Sequence, residues 1–495
     1  MNIFFYLWET GQIAMFYPSQ NKRESTMKHT YTTLDYEALT CLTGDPFVDA
    51  GGFVLEELSK RNPDSDIMDL IMLATQIYVD CWDAKINTFF LNSKITQPAF
   101  NTADKKKKET ERYFKELLDD TAPHVEGYCR VTGRKTNLYP AGRDNSVLSG
   151  SSTFVNFHHS FESGLMLSKE VLIRCHFLPL ACEQMQGKIG VISSSNPATA
   201  AFYAKKCCSR TLYDKASNMS KGVLKNESRS PGTALFRFLD HLLSELNPTK
   251  DEQLTLYHFT NFGASPEAQV YTLPFPAFQF YRETKRPVYT DCWKKFIAAH
   301  YHKPREFKNA AYQIDQHVFL ATEKKETRTL KEDEFQYWSN SIYNKLMRSQ
   351  SIVKEIRKWS VKQLFDFRLL KCYLINIRHM KNETIEKIQQ IADFILGHYK
   401  ETDMKKVLTT LNAVKSPYML RRFILRMVAE NYQQDGDILV SVNDYVNYLF
   451  PDTSSWMETR DVLLIAIYQK LHEKHVKVEV DVDELDDEDF VDDID

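Results

Sequence analysis

Apolar positions divide the chain into two textures. From residue 338 to 475 they recur every three or four residues in near-unbroken succession: SIYNKLMRSQSIVKEIRKW, VKQLFDFRLLKCYLINIRHM, IEKIQQIADFILGHY, MKKVLTTLNAV, YMLRRFILRMVAENY, VNDYVNYLF and METRDVLLIAIYQKLHEKH. That period predicts a helical bundle over 336–478. Upstream the pattern is mixed. SDIMDLIMLATQIYVDCW follows a Ser/Asp cap signal and predicts a helix, as does the charged run KKKKETERYFKELLDD before Pro123. From Gly127 to Gly164 the texture is that of loops and short strands. A short helix is predicted in LSKEVLIRCHFLPLACEQM, a strand in KIGVISSS, and a helix opened by an Asn-Pro turn in NPATAAFYAKKCCSRTLYDKA. Residues 231–247 read as a helix, and QLTLYHFTNFG with AQVYTLP alternate like paired strands. ATEKKETRTLKEDEF, from residue 321, has no strong period and reads as a linker.

The predicted fold class is α+β. A mixed N-terminal domain over 35–335 precedes the bundle, an unpatterned leader occupies 1–34, with Met15 and Met27 as alternative starts, and an acidic tail occupies 479–495. No repeat of fixed period is present.

Composition adds three constraints. Apolar content of 43% and charged content of 26% suit a globular protein, and 495 residues exceed what one small core usually organises. No window approaches the ~18 apolar residues of a membrane-spanning helix. The first residues lack a basic lead and a small-residue cleavage site, so a cytoplasmic location is expected. Nine scattered cysteines point to reduced thiols rather than a disulfide scaffold.

The formal charge of −3 conceals an asymmetry. Residues 481–495 hold ten acids and no base, leaving +7 on the rest, and residues 351–426 carry 16 Lys and Arg against 7 Asp and Glu. Such a segment faces a polyanion or is a well-solvated surface; charge balance alone does not choose.

Phosphate-loop, nucleophile-elbow, HExxH and dinucleotide fingerprints are missing from the sequence. A metal cluster of Cys129, His158, His159, Cys175 and Cys182 is a candidate, yet Cys175 and Cys182 stand too far apart for a zinc knuckle and Cys207 and Cys208 are adjacent. The alternative is buried thiols and a hydrogen-bonded His pair. Two segments suit contacts to phosphates and base edges. TGRKTNLYPAGRDNS offers Arg134, Lys135, Asn137, Arg143 and Asn145 on Gly-punctuated backbone. The 196–210 helix offers Asn196 at its start and Lys205, Lys206 and Arg210 along it. As ordinary polar surface, both need no explanation.

LTGDPFVDAGGFVLEEL (42–58) resembles the N-terminal signature of the large subunit of type I-B CRISPR effector complexes, the family named for its paired CxxC motifs. GYCRVTGRK (127–135) resembles its first knuckle, NFHHSFESGLMLSKEVLIRCHFLPL (156–180) the region of the second, and LTLYHFTNFG (254–263) its strand ending in Asn. The likeness runs in fragments over about residues 36–300. Cys129 matches the first ligand, Thr132 replaces the second, and the second pair falls near Ser168 and Val171, so the region 125–185 is expected to be a relic knuckle without metal or other cofactor; the alternative is that Cys175 is a displaced ligand.

The resemblance implies a non-catalytic subunit that contacts the 5′ end of a guide RNA, reads the protospacer-adjacent motif on double-stranded DNA and helps to open it. Implied partners are the backbone, small and 5′-handle-binding subunits, with a helicase-nuclease or transposition proteins recruited later. It also implies that the bundle resembles the small subunit, which in some relatives is made separately from an internal start; Met380 and Met404 lie within it here. On this reading Lys354, Arg357, Lys358, Arg368, Lys371, Arg378, Lys381, Arg421, Arg422 and Arg426 neutralise a DNA strand. The rival is a metal-dependent nuclease or hydrolase built on Cys129, His158 and His159; a third reading is a scaffold whose acidic tail engages a basic partner.

Overall fold

The computed structural model describes residues 39–148, 165–246, 248, 250–260, 267–323, 326–434, 436–452 and 455–478. The leader, His158, His159 and the acidic tail lie outside them.

Helix α1 (Pro46–Arg61) starts where the Asp45 carboxylate accepts the amides of Phe47 and Val48, both at 2.9 Å, with Pro46 in the first turn where no amide is needed. Helix α2 (Ile67–Gln76) opens on an Asp66/Asp69 capping box and runs into a π turn over Ile77–Cys81. After an irregular stretch, α3 (Ala103–Leu118) is capped by Thr102. Strands β1 (Val125–Tyr128), β2 (Lys135–Ala141) and β3 (Leu165–Ser168) form an antiparallel sheet that feeds α4 (Lys169–Phe177) and a 3₁₀ turn over Leu178–Ala181.

The second sheet has five strands in the order β6-β4-β5-β7-β8. They are β4 (Glu183–Met185), β5 (Lys188–Ser194), β6 (Leu224–Lys225), β7 (Leu254–Thr260) and β8 (Glu267–Leu273). Helix α5 (Pro197–Ala216) follows β5, and α6 (Pro231–Glu245) follows β6. Ile192 of β5 faces Leu256 of β7 in the central antiparallel pair. Helix α1 packs against α4, the 3₁₀ turn and α5, and so ties the two sheets together.

Helices α7 (Phe275–Thr284) and α8 (Pro287–Ala298) and the short strand β9 (Tyr301–His302) lead to a third sheet of β10 (Ala310–Gln313), β11 (Val318–Glu323) and β12 (Glu326–Leu330), then α9 (Glu332–Phe335) and β13 (Ser339–Asn340), which pairs with β9. The predicted linker is therefore a hairpin. Ala321 pairs with Arg328 across it, and Phe319, Ala321, Leu330, Phe335 and Trp338 bury a small core of their own. The remaining side chains of β12 are exposed and charged or hydroxylic, which hid the alternation.

Only helices follow among the described residues: α10 (Ser341–Met347), α11 (Val353–Ser360), α12 (Phe367–Asn376), α13 (Asn382–His398), α14 (Glu401–Asn412), α15 (Pro417–Tyr432), a short α16 (Val442–Asp444) prolonged by a π turn, and α17 (Trp456–Glu473). The fold is α+β, with sheets in the N-terminal half and helices in the C-terminal half. The stretch predicted as one helix, 341–359, breaks at Ser349, whose φ is 54°. Helix α17 is buried on nearly every side, against α11 to α15. One core joins the halves: Phe236 stacks on Tyr343 at 4.2 Å and Phe280 meets Tyr373 edge-on at 5.3 Å.

Candidate nucleic-acid interface

Described residues of the four segments that carry the resemblance are linked by contacts, the third and fourth meeting the first at α1 and the second meeting the third. Arg174, from the third, is 1% exposed. Its guanidinium meets the Asp49 carboxylate at 2.7 Å and donates to the carbonyls of Val48 (3.0 Å) and Cys41 (2.8 Å). Gly51 and Gly52 make room for it, since a Cβ on Gly51 would lie 1.9 Å from the Arg174 carbonyl oxygen. Phe47 packs on Tyr257 and Phe259 of the fourth segment at 5.4 and 5.1 Å. The Ser168 amide, from the third, donates to the Cys129 sulfur of the second at 3.4 Å.

That last contact defines the knuckle region. The Cys129 amide donates to the Arg134 carbonyl and the Gly133 amide returns to the Cys129 carbonyl, with Gly133 at φ +66°. Burial pushes the Cys129 thiol up, but the Thr132 amide and hydroxyl and the Ser168 and Val131 amides outweigh it and hold the thiol below its ordinary value. Thr132 and Ser168 thus satisfy the sulfur. Burial pushes Cys175 up to about 12, and Cys182 points its thiol at the Leu178 carbonyl. All nine cysteines are free, and no three His, Cys, Asp or Glu side chains gather around a metal-sized point among the described residues.

The two predicted contact segments lie towards opposite ends of α1. Arg134 reaches the Cys41 sulfur at 3.7 Å, just ahead of α1, and Lys205 pairs with Glu56, in the second half of α1, at 2.9 Å. In the first segment Lys135 pairs with Glu126 across β1 and β2, Asn137 bonds to Asp120, and Arg143 has no partner among the described residues. Asn145 is spent on its own loop: it accepts the Gly142 amide and donates to Tyr113 and the Pro140 carbonyl. In the second segment Asn196 caps α5 and donates to Glu252 at 2.8 Å, so its amide holds a helix start rather than facing a ligand. Lys206 lies 3.9 Å from Glu245, and Arg210 pairs with Asp214 at 3.1 Å.

In the bundle the predicted basic strip separates into two sets. Arg357 is 5% exposed and pairs with Asp461, which Arg460 also holds, so it is a core residue and not part of the strip. Arg378 pairs with Glu458, Lys371 with Glu386 and Arg368 with the neighbouring Asp366. Lys354 and Lys358 are half-buried on α11. Lys381 lies over the ring of Tyr448. On α15, Arg421 lies over Phe450, Arg426 pairs with Glu430, and Arg422 projects outward without a partner among the described residues. Tyr418, Leu425 and Tyr432 are exposed on the same helix, giving it a basic and apolar outer face. Lys405 and Lys406 on α14, which the sequence reading did not single out, are exposed as well.

The structure further groups Lys221, Lys225 and Arg237 with Lys206 and Arg210 around one cleft. The sequence signal, two lysines in SKGVLKN, is too common to stand out.

The class defined here is an α+β protein whose sheet-bearing body is locked around one helix and carries a basic helical end-piece. Residues 358–494 match the model of the DevT C-terminal domain. The match begins within α11 and covers the rest of the bundle. No curated protein matches the chain. No helix among the described residues is long and apolar enough to cross a membrane.

Proposed function

We propose that this chain is a non-catalytic large subunit of a type I-B CRISPR guide-RNA complex, contacting the 5′ end of the guide, reading the flanking motif on target DNA and helping to open and hold that DNA. One observation carries the reading: the four family-like segments, spread over more than 200 residues, pack against one another through Asp49–Arg174, Ser168–Cys129 and Phe47–Phe259. The match of the bundle to a domain described as C-terminal agrees with a separate end-piece. Base pairing by the guide selects sequence, so the protein needs only shape, phosphate and a short motif to recognise, and basic loops with a basic helical face supply these. The test is a guide complex assembled with and without this chain. Loss of discrimination between targets with and without the flanking motif is expected; unchanged discrimination rejects the assignment.

A further inference from the structure

The cleft around Arg237 has a volume of about 1020 Å³, at the upper limit of small-molecule sites. Helices α5 and α6 form its walls, and the edge strand β6, paired through only two residues, forms one rim. Its lining carries five Lys and Arg against three carboxylates. Two of those carboxylates are engaged: Glu183 accepts from Asn226 at 2.8 Å, and Asp214 pairs with Arg210. Lys221, Lys225 and Arg237 have no carboxylate partner among the described residues. The loop bearing Lys221 is pinned, because the Met219 and Ser220 amides donate to the Asp214 carbonyl and the Trp82 indole donates to Ser220 at 2.9 Å. The cations are therefore presented by fixed backbone. Beside them the Arg237 guanidinium carbon lies over the Tyr337 ring, 3.9 Å from its centroid, and the Tyr337 carbonyl is held by the Arg229 amide.

We infer that this cleft holds a few linked nucleotides of a single strand, with phosphates on Lys221 and Lys225 and a base against the Arg237–Tyr337 pair. Unneutralised cations select an anion. A guanidinium over an aromatic ring favours an anion that also carries a planar, unstacked face, which the bases of a single strand offer and a stacked duplex does not. The inference deepens the proposed function and rests on it for the presence of such a strand; RNA and single-stranded DNA share this chemistry.

The test uses the full chain and fluorescent oligonucleotides of RNA and of single-stranded DNA, titrated over a range of salt, with a peptide of residues 481–495 as competitor. Lys221→Glu with Lys225→Glu is expected to weaken binding about tenfold or more and to reduce the log–log salt slope by about 1.4. Arg237→Lys keeps the charge and loses the plane, so about a fivefold or larger loss with little change in slope is expected. Both variants alter side chains outside the core, and melting curves check that they fold. Tighter binding of RNA marks a guide as the occupant, and tighter binding of DNA an opened target strand. Unchanged affinity in these variants, or a peptide that competes as well as an unlabelled strand, overturns the inference. Variants that assemble with RNA-bearing partners but leave oligonucleotide binding unmoved reject the cleft alone; a wild-type chain that fails to assemble with such partners rejects the proposed function.

Discussion

The Arg174 guanidinium lies 2.7 Å from the Asp49 carboxylate, nearly sealed from solvent, and fastens the first family-like segment to the third. A buried charge survives only when paired and hydrogen-bonded, and Asp49 also accepts from the Thr43 amide and hydroxyl. The GDPFVDAGG signature is thus explained by packing: Asp45 caps, Asp49 pairs, and two glycines admit the arginine.

Gly51→Ala should destabilise the chain by about 3 kcal/mol, because the new methyl meets backbone and has no flexible neighbour to displace. Gly397→Ala is the contrast. Its Cβ meets nothing and it sits exposed in the last turn of α13, so no loss and a gain below about 1 kcal/mol, the full value for a helix interior, is expected. Urea unfolding of both variants decides; equal effects would remove the close approach from the account.

Burial lowers the His176 imidazole to about 4, with Thr75 Oγ1 3.1 Å from Nε2. The unfolded chain takes up this proton near pH 6.5 and the folded chain only near pH 4, so its contribution is complete above pH 6.5 and is lost as pH falls towards 4. The span corresponds to about 3 kcal/mol. Denaturation midpoints between pH 7.5 and 4.5 should fall less steeply for His176→Gln than for the parent chain; parallel slopes would count against it.

Arg357 and Arg422 should behave oppositely although both belong to the basic segment. Arg357→Ala leaves Asp461 with Arg460 alone in a buried setting and should cost about 3 kcal/mol of stability, at the low end for a broken buried pair. Arg422→Ala should leave stability within about 0.5 kcal/mol and, on the proposed function, weaken binding to all DNA sequences while lowering the salt slope by about 1. A destabilised Arg422 variant would show that the residue has a structural partner.

Trp338→Ala should open the small core under β10–β12, where the indole meets Phe319 at 5.1 Å and Phe307 at 5.3 Å, at a cost of about 3–5 kcal/mol. Hydrogen exchange should quicken in residues 310–330 and leave β5 and β7 protected. Uniform quickening would mean that the third sheet is not a separate cooperative unit.

Helices with one apolar face were readable from the chain, although the stretch read as one helix over 341–359 is two, parted at Ser349. The β11–β12 hairpin was not, because β12 buries only Leu330 and shows charges and hydroxyls elsewhere. Arg174 and Arg357 were opaque for a related reason. An arginine on an amphipathic helix ordinarily points to water, and only its partner, more than 100 residues away in sequence, reveals it as core. The Cys129–Ser168 contact leaves no mark in the pattern of apolar positions, because it joins a backbone amide to a thiol 39 residues away. The cleft cations were not, since nothing in the spacing of Lys221, Lys225 and Arg237 announces that α5 and α6 bring them together.

Helix α17 sits at the axis of the bundle with α11 to α15 around it, and its run from Val462 to Tyr468 is buried without interruption. A shorter translation product begun at Met404 would inherit this greasy rod stripped of α11, α12 and α13. Begun at Met380, it would regain α13 but still lack α11 and α12. Either polypeptide would leave part of the rod wet and would need an escort, or self-association, to stay in solution.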